Sequence, residues 1–390
     1  MIDTYYPRPD RDFGSIHALT YVSLFQELGY HVHFIALMDS PDSAKYRHRL
    51  EEMGVTVPLD ASPQAILNFL TTWGDRLTIA FLSRVGYGGR YINEVVRHCP
   101  KAKIIFNTVD LHFLRQERHA ALTGDRVAMY QAASQREREI YVSRMADAVM
   151  VVSSVEKTIL EVAAPGARIF WCPLILTVEG RTNAFDARSG VAFVGGYSHA
   201  PNEDAVRWFL DQIWPLVGEK VPGMRFYAVG ADLPEEIRTR ADQGFVAVGH
   251  VEDLKSWLER VRLTIAPLRY GAGAKGKVLS SLTHGVPCVV STIAAEGMAV
   301  DNGGIVLADD PMAFANAIVQ VHEDQQLWET LSDAALRWAE STLSIDDGRD
   351  RLIEILEVIG APIERGVHAD TPATRGDATA LPRFGAPMSR

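Results

Sequence analysis

Residues 263–292 read LTIAPLRYGAGAKGKVLSSLTHGVPCVVST, and this stretch decides the fold. An apolar run stops at Pro267, a loop of glycines and lysines follows, and a short helical pattern leads into a second apolar run. That is the strand–loop–helix–strand unit of a parallel sheet. Gly271, Gly273 and Gly276 let backbone N–H groups approach an anion closely, and the helix starting near Lys277 turns its positive dipole end the same way. Arg269, Lys275 and Lys277 bring three full charges to the same turn. The alternative, glycines serving tight turns with the lysines in water, leaves that convergence unexplained.

Two phosphate motifs almost fit. Gly271 to Val278 follows G-x-x-x-x-G-K-[ST] until its last position, where Val278 has no hydroxyl for Mg²⁺, which argues against a nucleoside triphosphatase. The same glycines spell the dinucleotide fingerprint G-x-G-x-x-G, but late in the chain. Where the next strand ends, at Ser291 and Thr292, there is no acid for a ribose, and Glu296 lies a few residues beyond. A dinucleotide oxidoreductase is therefore the last of the alternatives.

Working outward, helical and strand-like patterns alternate on both sides. Before the stretch come the amphipathic HALTYVSLFQELG, the strands YHVHFIAL and LTIAFLS, the helix GRYINEVVRHCP, the strand AKIIFNTVD, a long polar helix over residues 111–145, and the strand ADAVMVVSS. Ile2 to Tyr5 resembles only the tail of a first strand, so that strand is short or the start is truncated. Residues 172–190 lose all periodicity, and a second alternating series opens with VAFVGG and the helix NEDAVRWFLDQIWPLV. The expected organisation is a first α/β domain over residues 1–175, a linker over 176–190 and a second α/β domain over 191–345. A helix over 346–360 returns toward the first domain, and the tail 361–390 is disordered.

The 390 residues, 47% hydrophobic, suffice for two cores. Cys99, Cys172 and Cys288 are widely spaced and suggest neither zinc nor disulfides, which points to a reducing, cytoplasmic setting. No segment approaches the roughly 18 uninterrupted apolar residues of a membrane span, so association with a membrane is at most peripheral. The net charge of −10 falls on the second part of the chain, since residues 1–175 carry 19 basic and 19 acidic side chains. That balance argues against nucleic acid as a partner. The run QREREIYVSR, residues 135–144, reads as a solvated helix face with internal ion pairs.

Four segments, in order and spacing, resemble the GT-B glycosyltransferases, and within them the large retaining group usually called family 4. YYPRPDRDFGSIHALTYVSLFQELGYHVHFIA is similar to that group's first loop and helix, where a small-residue turn, here Gly14 and Ser15, faces the donor diphosphate. NTVDLHFLRQER resembles a segment beside the cleft, and FVGGYSHAPNEDAVRWFLDQIWPLV the first strand and helix of the donor domain, with Gly195 and Gly196 at its turn. APLRYGAGAKGKVLSSLTHGVPCVVSTIAAEGM looks like the donor-binding unit. The resemblance implies two Rossmann-like, doubly wound parallel-sheet domains facing across a cleft. It also implies retaining transfer of a sugar from a UDP, GDP or dTDP donor to a glycan or glycolipid acceptor, as in surface polysaccharide synthesis, with neither cofactor nor metal.

Two departures stand out. Many members carry Glu, seven residues, Glu across the loop; here those positions are Ala272 and Ser280, leaving Ser280 to meet the ribose. The Arg and Lys that often follow the first donor-domain strand are replaced by Gly196 and the segment around Asn202. A non-catalytic GT-B protein that binds nucleotide or glycan is therefore the first rival reading, and a nucleotide-sugar epimerase the next.

Asp110 and His112 follow the strand AKIIFNTVD, where open parallel sheets place ligand-binding residues, and Arg115 stands one turn on, on the acceptor side. Asp110 as a helix cap with His112 in packing is the competing reading. Glu296 is a candidate partner for a donor hydroxyl. Asp10-Arg11-Asp12 spells D-x-D, but its proline-flanked loop argues against metal binding.

Overall fold

The structure, a computed structural model, describes residues 1–40, 42–58, 61–298 and 303–363. Among the described residues it divides into two units, one built from residues 1–120, 125–173 and 346–363, the other from residues 174–345 with 121–124.

The first unit is a parallel sheet of β1 (Ile2–Asp3), β2 (Ile35–Ala36), β3 (Ile79–Ser83), β4 (Lys103–Asn107), β5 (Ala148–Val151) and β6 (Ile169–Trp171), in the order β2-β1-β3-β4-β5-β6. A parallel bridge between His33 and Thr56 extends it beyond β2. The central strands are buried apolar runs, as a sheet covered on both faces requires. The helix Phe13–Glu27 starts where Asp12 accepts the Ser15 amide at 2.8 Å. The single helix expected over 111–145 is two, His112–Thr123 and Arg126–Met145. Gly124 breaks it with φ 69°, and Asp125 caps the second helix. The helix Ile345–Ile359 packs on this unit: Leu352, Ile355, Leu356 and Ile359 are buried, Arg349 pairs with Glu27, and Arg351 stacks 5.0 Å from the Trp171 ring.

The second unit holds β7 (Val191–Val194), β8 (Phe226–Val229), β9 (Phe245–Gly249), β10 (Leu263–Ala266), β11 (Cys288–Val290) and β12 (Ile305–Leu307), all parallel, in the order β12-β11-β10-β7-β8-β9. The expected helix over 202–217 contains a wide turn at Phe209–Ile213, between Ala200–Trp208 and Trp214–Lys220. Pro215 has no N–H to return to the preceding turn, so the helix opens there. Phe209, Trp214 and Phe226 pack at this point, with the Phe209 and Phe226 rings 4.6 Å apart.

Residues 176–190, expected as a linker, are built into this unit. Arg188 is fully buried; its guanidinium pairs with Glu259 at 2.6 Å and donates to the carbonyls of Asn183, Leu258 and Val261. Glu259 in turn accepts the amides of Thr182 and Asn183. The expected tail, 361–390, lies outside the described residues from 364 onward.

Candidate functional site

In each unit the chain reverses direction across the sheet between two adjacent strands, and ligand-binding side chains collect at the carboxyl ends of such strands. In the second unit the reversal lies between β7 and β10. β7 runs out into Gly195 and Gly196; β10 runs out into Pro267 and the glycine loop. Gly271 and Gly273 have φ of 155° and 70°, which side-chain-bearing residues rarely adopt. Across that turn the Lys275 Nζ donates to the Gly273 carbonyl at 2.6 Å. Lys275 is only 5% exposed and immediately precedes the helix Gly276–Thr283. Lys277, in its first turn, reaches across to β7, with Nζ 5.6 Å from the Phe193 ring. Burial, with the Lys275 charge beside it, pushes the Lys277 ammonium down to about 8. Two ammonium groups drawn from water and set against each other form a site suited to dense negative charge.

The other predicted donor residues lie around this loop with different partners. Arg269 is engaged by Asp204 on the helix Ala200–Trp208, its Nε 2.9 Å from Oδ2, so it ties the loop to the helix after β7. Ser280 is buried in the second turn of its helix. Glu296 ends the one-turn helix Thr292–Ala295 after β11. Asn202, buried, donates to the Gly196 carbonyl at 2.7 Å, and its amide nitrogen would sit 2.8 Å from any Cβ at Gly195.

In the first unit the reversal lies between β1 and β3. A cavity of about 400 Å³ opens there, lined by Asp3, Arg84, Asp110, His112 and Arg115 among others. Arg84 pairs with Asp3, and a Cβ at Gly14 would meet its guanidinium at 2.6 Å, so Gly14 serves close approach. In the Gly14–Ser15 turn, expected to face the donor diphosphate, the Ser15 amide donates to Asp12. Asp12 also pairs with Arg8, while Asp10 accepts from the Tyr46 hydroxyl at 2.8 Å, so the D-x-D carboxylates serve separate partners. Among the described residues no group of three His, Cys, Asp or Glu is arranged to hold a metal ion.

Asp110 pairs with Arg115, and His112 Nε2 lies 3.3 Å from its Oδ1. Burial alone raises its carboxyl, yet Arg115, His112 and Arg84 hold it well below the usual carboxylate range. Asp110 is not left to cap the following helix, because other carboxylates take the amides there. Leu111 donates to Glu156 at 2.8 Å, and His112 and Phe113 to Glu139 at 3.3 and 3.0 Å. Within the solvated face expected at residues 135–144, Arg136, Glu137, Arg138 and Arg144 are exposed, but Glu139 departs from it and is fully buried. The signal was available, since Glu139 lies on the stripe of Ala132 and Val142, the buried side of its helix.

Residues 188–324 match a family profile described as glycosyl transferases group 1. No curated protein matches the sequence. Among solved structures, sucrose-phosphate synthase from Thermosynechococcus elongatus is 13% identical, with TM-score 0.70 over 92% of this chain and 98% of that one. Anabaena HepE in complex with UDP is 12% identical, with TM-score 0.65 over 87% and 95%. S. aureus TarM is 11% identical, with TM-score 0.59 over 74% of this chain and 58% of its own length. Two six-stranded parallel units of this strand order, with a group 1 glycosyl transferase match inside the second, make this a GT-B fold.

Proposed function

We propose that the protein is a glycosyltransferase that moves a sugar from a nucleoside diphosphate donor to a hydroxyl of a glycan or glycolipid, with retention and without metal. The observation that carries this reading is the placement of Lys275 and Lys277 on a glycine loop at the switch point of the second unit, inside the residues that match the group 1 transferases. HepE, a neighbour in fold, is solved with UDP, which makes a uridine donor the first to test.

In such a transfer the bond from the anomeric carbon to the diphosphate oxygen breaks and a bond to the acceptor oxygen forms. The two ammonium groups would stabilise charge as it gathers on the leaving diphosphate. The acceptor hydroxyl must give up its proton. His112 suits that task in the first unit's cavity: its Nε2 faces the ionised Asp110, which leaves Nδ1 as the nitrogen that accepts. Localisation in the cytoplasm and a role in polysaccharide synthesis belong to the same reading.

Ala272 and Ser280, standing where many relatives in the resembling group carry carboxylates, favour one rival, a GT-B protein that binds nucleotide without turnover. A panel of UDP-, GDP- and dTDP-sugars separates the two. Binding detected by thermal shift, with nucleotide release that Lys275→Ala abolishes, is the expected outcome. Binding without release from any donor would establish the rival. Lys275→Ala should weaken donor binding by about 1.5–3 kcal/mol.

A further inference from the structure

We infer that Glu139 and Glu156 are positioning residues, two buried carboxylates from different helices that grip the consecutive amides of residues 111–113 and so fix Asp110 and His112 against the first unit's cavity. The inference rests on the proposed role of that cavity in the transfer.

The segment between β4 and the helix His112–Thr123 is strained. Val109 adopts φ 63°, a conformation unfavourable for a β-branched residue and maintained only where the surroundings over-determine it. On one side Thr108 is fixed to the Met150 carbonyl by its amide at 3.0 Å and its hydroxyl at 3.1 Å. On the other side stand the two glutamates. Glu156 comes from the helix Ser154–Ala163 and Glu139 from Arg126–Met145, and neither is exposed to water.

An ordinary helix start is capped by a short polar side chain next to it in sequence, at little desolvation cost. Here two carboxylates are brought from 26 to 45 residues away and wholly buried, beside the carboxylate of Asp110. Burial pushes the Glu139 carboxyl up to about 8, although the Phe113 and His112 amides favour its ionised form and Asp110 and Glu156 disfavour it. Such an arrangement is costly as a cap, yet it locks three successive amides at the turn that carries both candidate groups. Glu139→Gln turns one of the two acceptor atoms into a donor facing an N–H, which releases one amide while keeping the shape.

The test uses the full chain with ¹⁵N-labelled histidine, the His112 signals being assigned from the His112→Ala spectrum. In Glu139→Gln the His112 Nε2 resonance should move while the protein still unfolds cooperatively. The rate of transfer should fall by about tenfold or more, with the donor KM within about twofold. In the His112→Ala background the same substitution should change the rate by less than about twofold, because its effect runs through His112. Glu156→Gln should act in the same direction. If Glu139→Gln fails to fold, Glu139→Asp, which keeps the carboxyl group on a shorter arm, gives the same comparison. An unmoved His112 resonance in a folded variant, or an equal loss of rate in both backgrounds, overturns the inference. A moved resonance in a protein that transfers no sugar from any donor supports the positioning role and refutes the proposed function instead.

Discussion

Lys277 holds a charge in surroundings that disfavour it, and this makes its protonation a measurable part of donor binding. Its ammonium is pushed down to about 8 by burial and by Lys275, so it is mostly charged at neutral pH and neutral well above that. A diphosphate needs the charged form. Donor affinity should therefore be flat below about pH 8 and fall by up to about tenfold per unit above it. Stability moves the other way: between about 8 and 10.4 the unfolded chain binds more protons than the folded one, so Lys277 makes the fold more stable as pH rises through that window. Lys277→Arg, which stays charged, should flatten the affinity profile. Calorimetry with UDP across pH 6.5 to 9.5 checks this, and identical profiles for the two proteins would remove Lys277 from the site. Such residues were legible because each lies just after an apolar run in the sequence, where strand ends and ligands coincide. The amides that Glu139 and Glu156 hold were not, because they lie 26 to 45 positions away and no local pattern of charge reveals them, although the place of Glu139 on the buried stripe of its helix could be read.

The elements divide the same way. Strands and the helices between them could be read from apolar periodicity, since the sheet is covered on both faces and its strands are continuous apolar runs. The segment 176–190 could not, because its fixed position depends on one buried ion pair. An arginine in an aperiodic stretch reads as a solvated side chain, whereas Arg188 supplies hydrogen bonds to three carbonyls and to Glu259 inside the second unit. Removing it leaves the Glu259 carboxylate partly buried without its cation. Arg188→Met should therefore destabilise the second unit by about 3–5 kcal/mol, and Arg188→Met with Glu259→Gln by less than the sum of the single changes. Urea denaturation followed by tryptophan fluorescence reports this, since Trp328 lies 5.4 Å from the Arg188 guanidinium. Additive losses would show that the two side chains act separately.

At the scale of the whole molecule, one unit is drawn almost entirely from a single stretch of sequence and the other is not. Residues 174–345 contain every strand of the second sheet, and the Leu176 amide is closed onto the Leu343 carbonyl at 2.9 Å. The first unit is complete only with the helix Ile345–Ile359, which arrives after the whole second unit has been made. That helix buries Leu352, Ile355, Leu356 and Ile359, an upper estimate of about 6–12 kcal/mol of apolar stabilisation. The Arg349–Glu27 pair, about one-third exposed on each side, adds little. A contribution of that size equals much of the roughly 5–15 kcal/mol by which a domain is stable at all. A chain shortened to residues 1–344 should therefore lose the cooperative unfolding of its first unit, while the second, with its core and closing hydrogen bond intact, keeps its own transition. Scanning calorimetry of the shortened chain should show one transition that still rises on addition of UDP, because the glycine loop lies wholly in the surviving unit. Loss of both transitions would mean that the second unit does not stand alone. Retention of the first unit's transition would mean that the last helix contributes far less than its buried area implies.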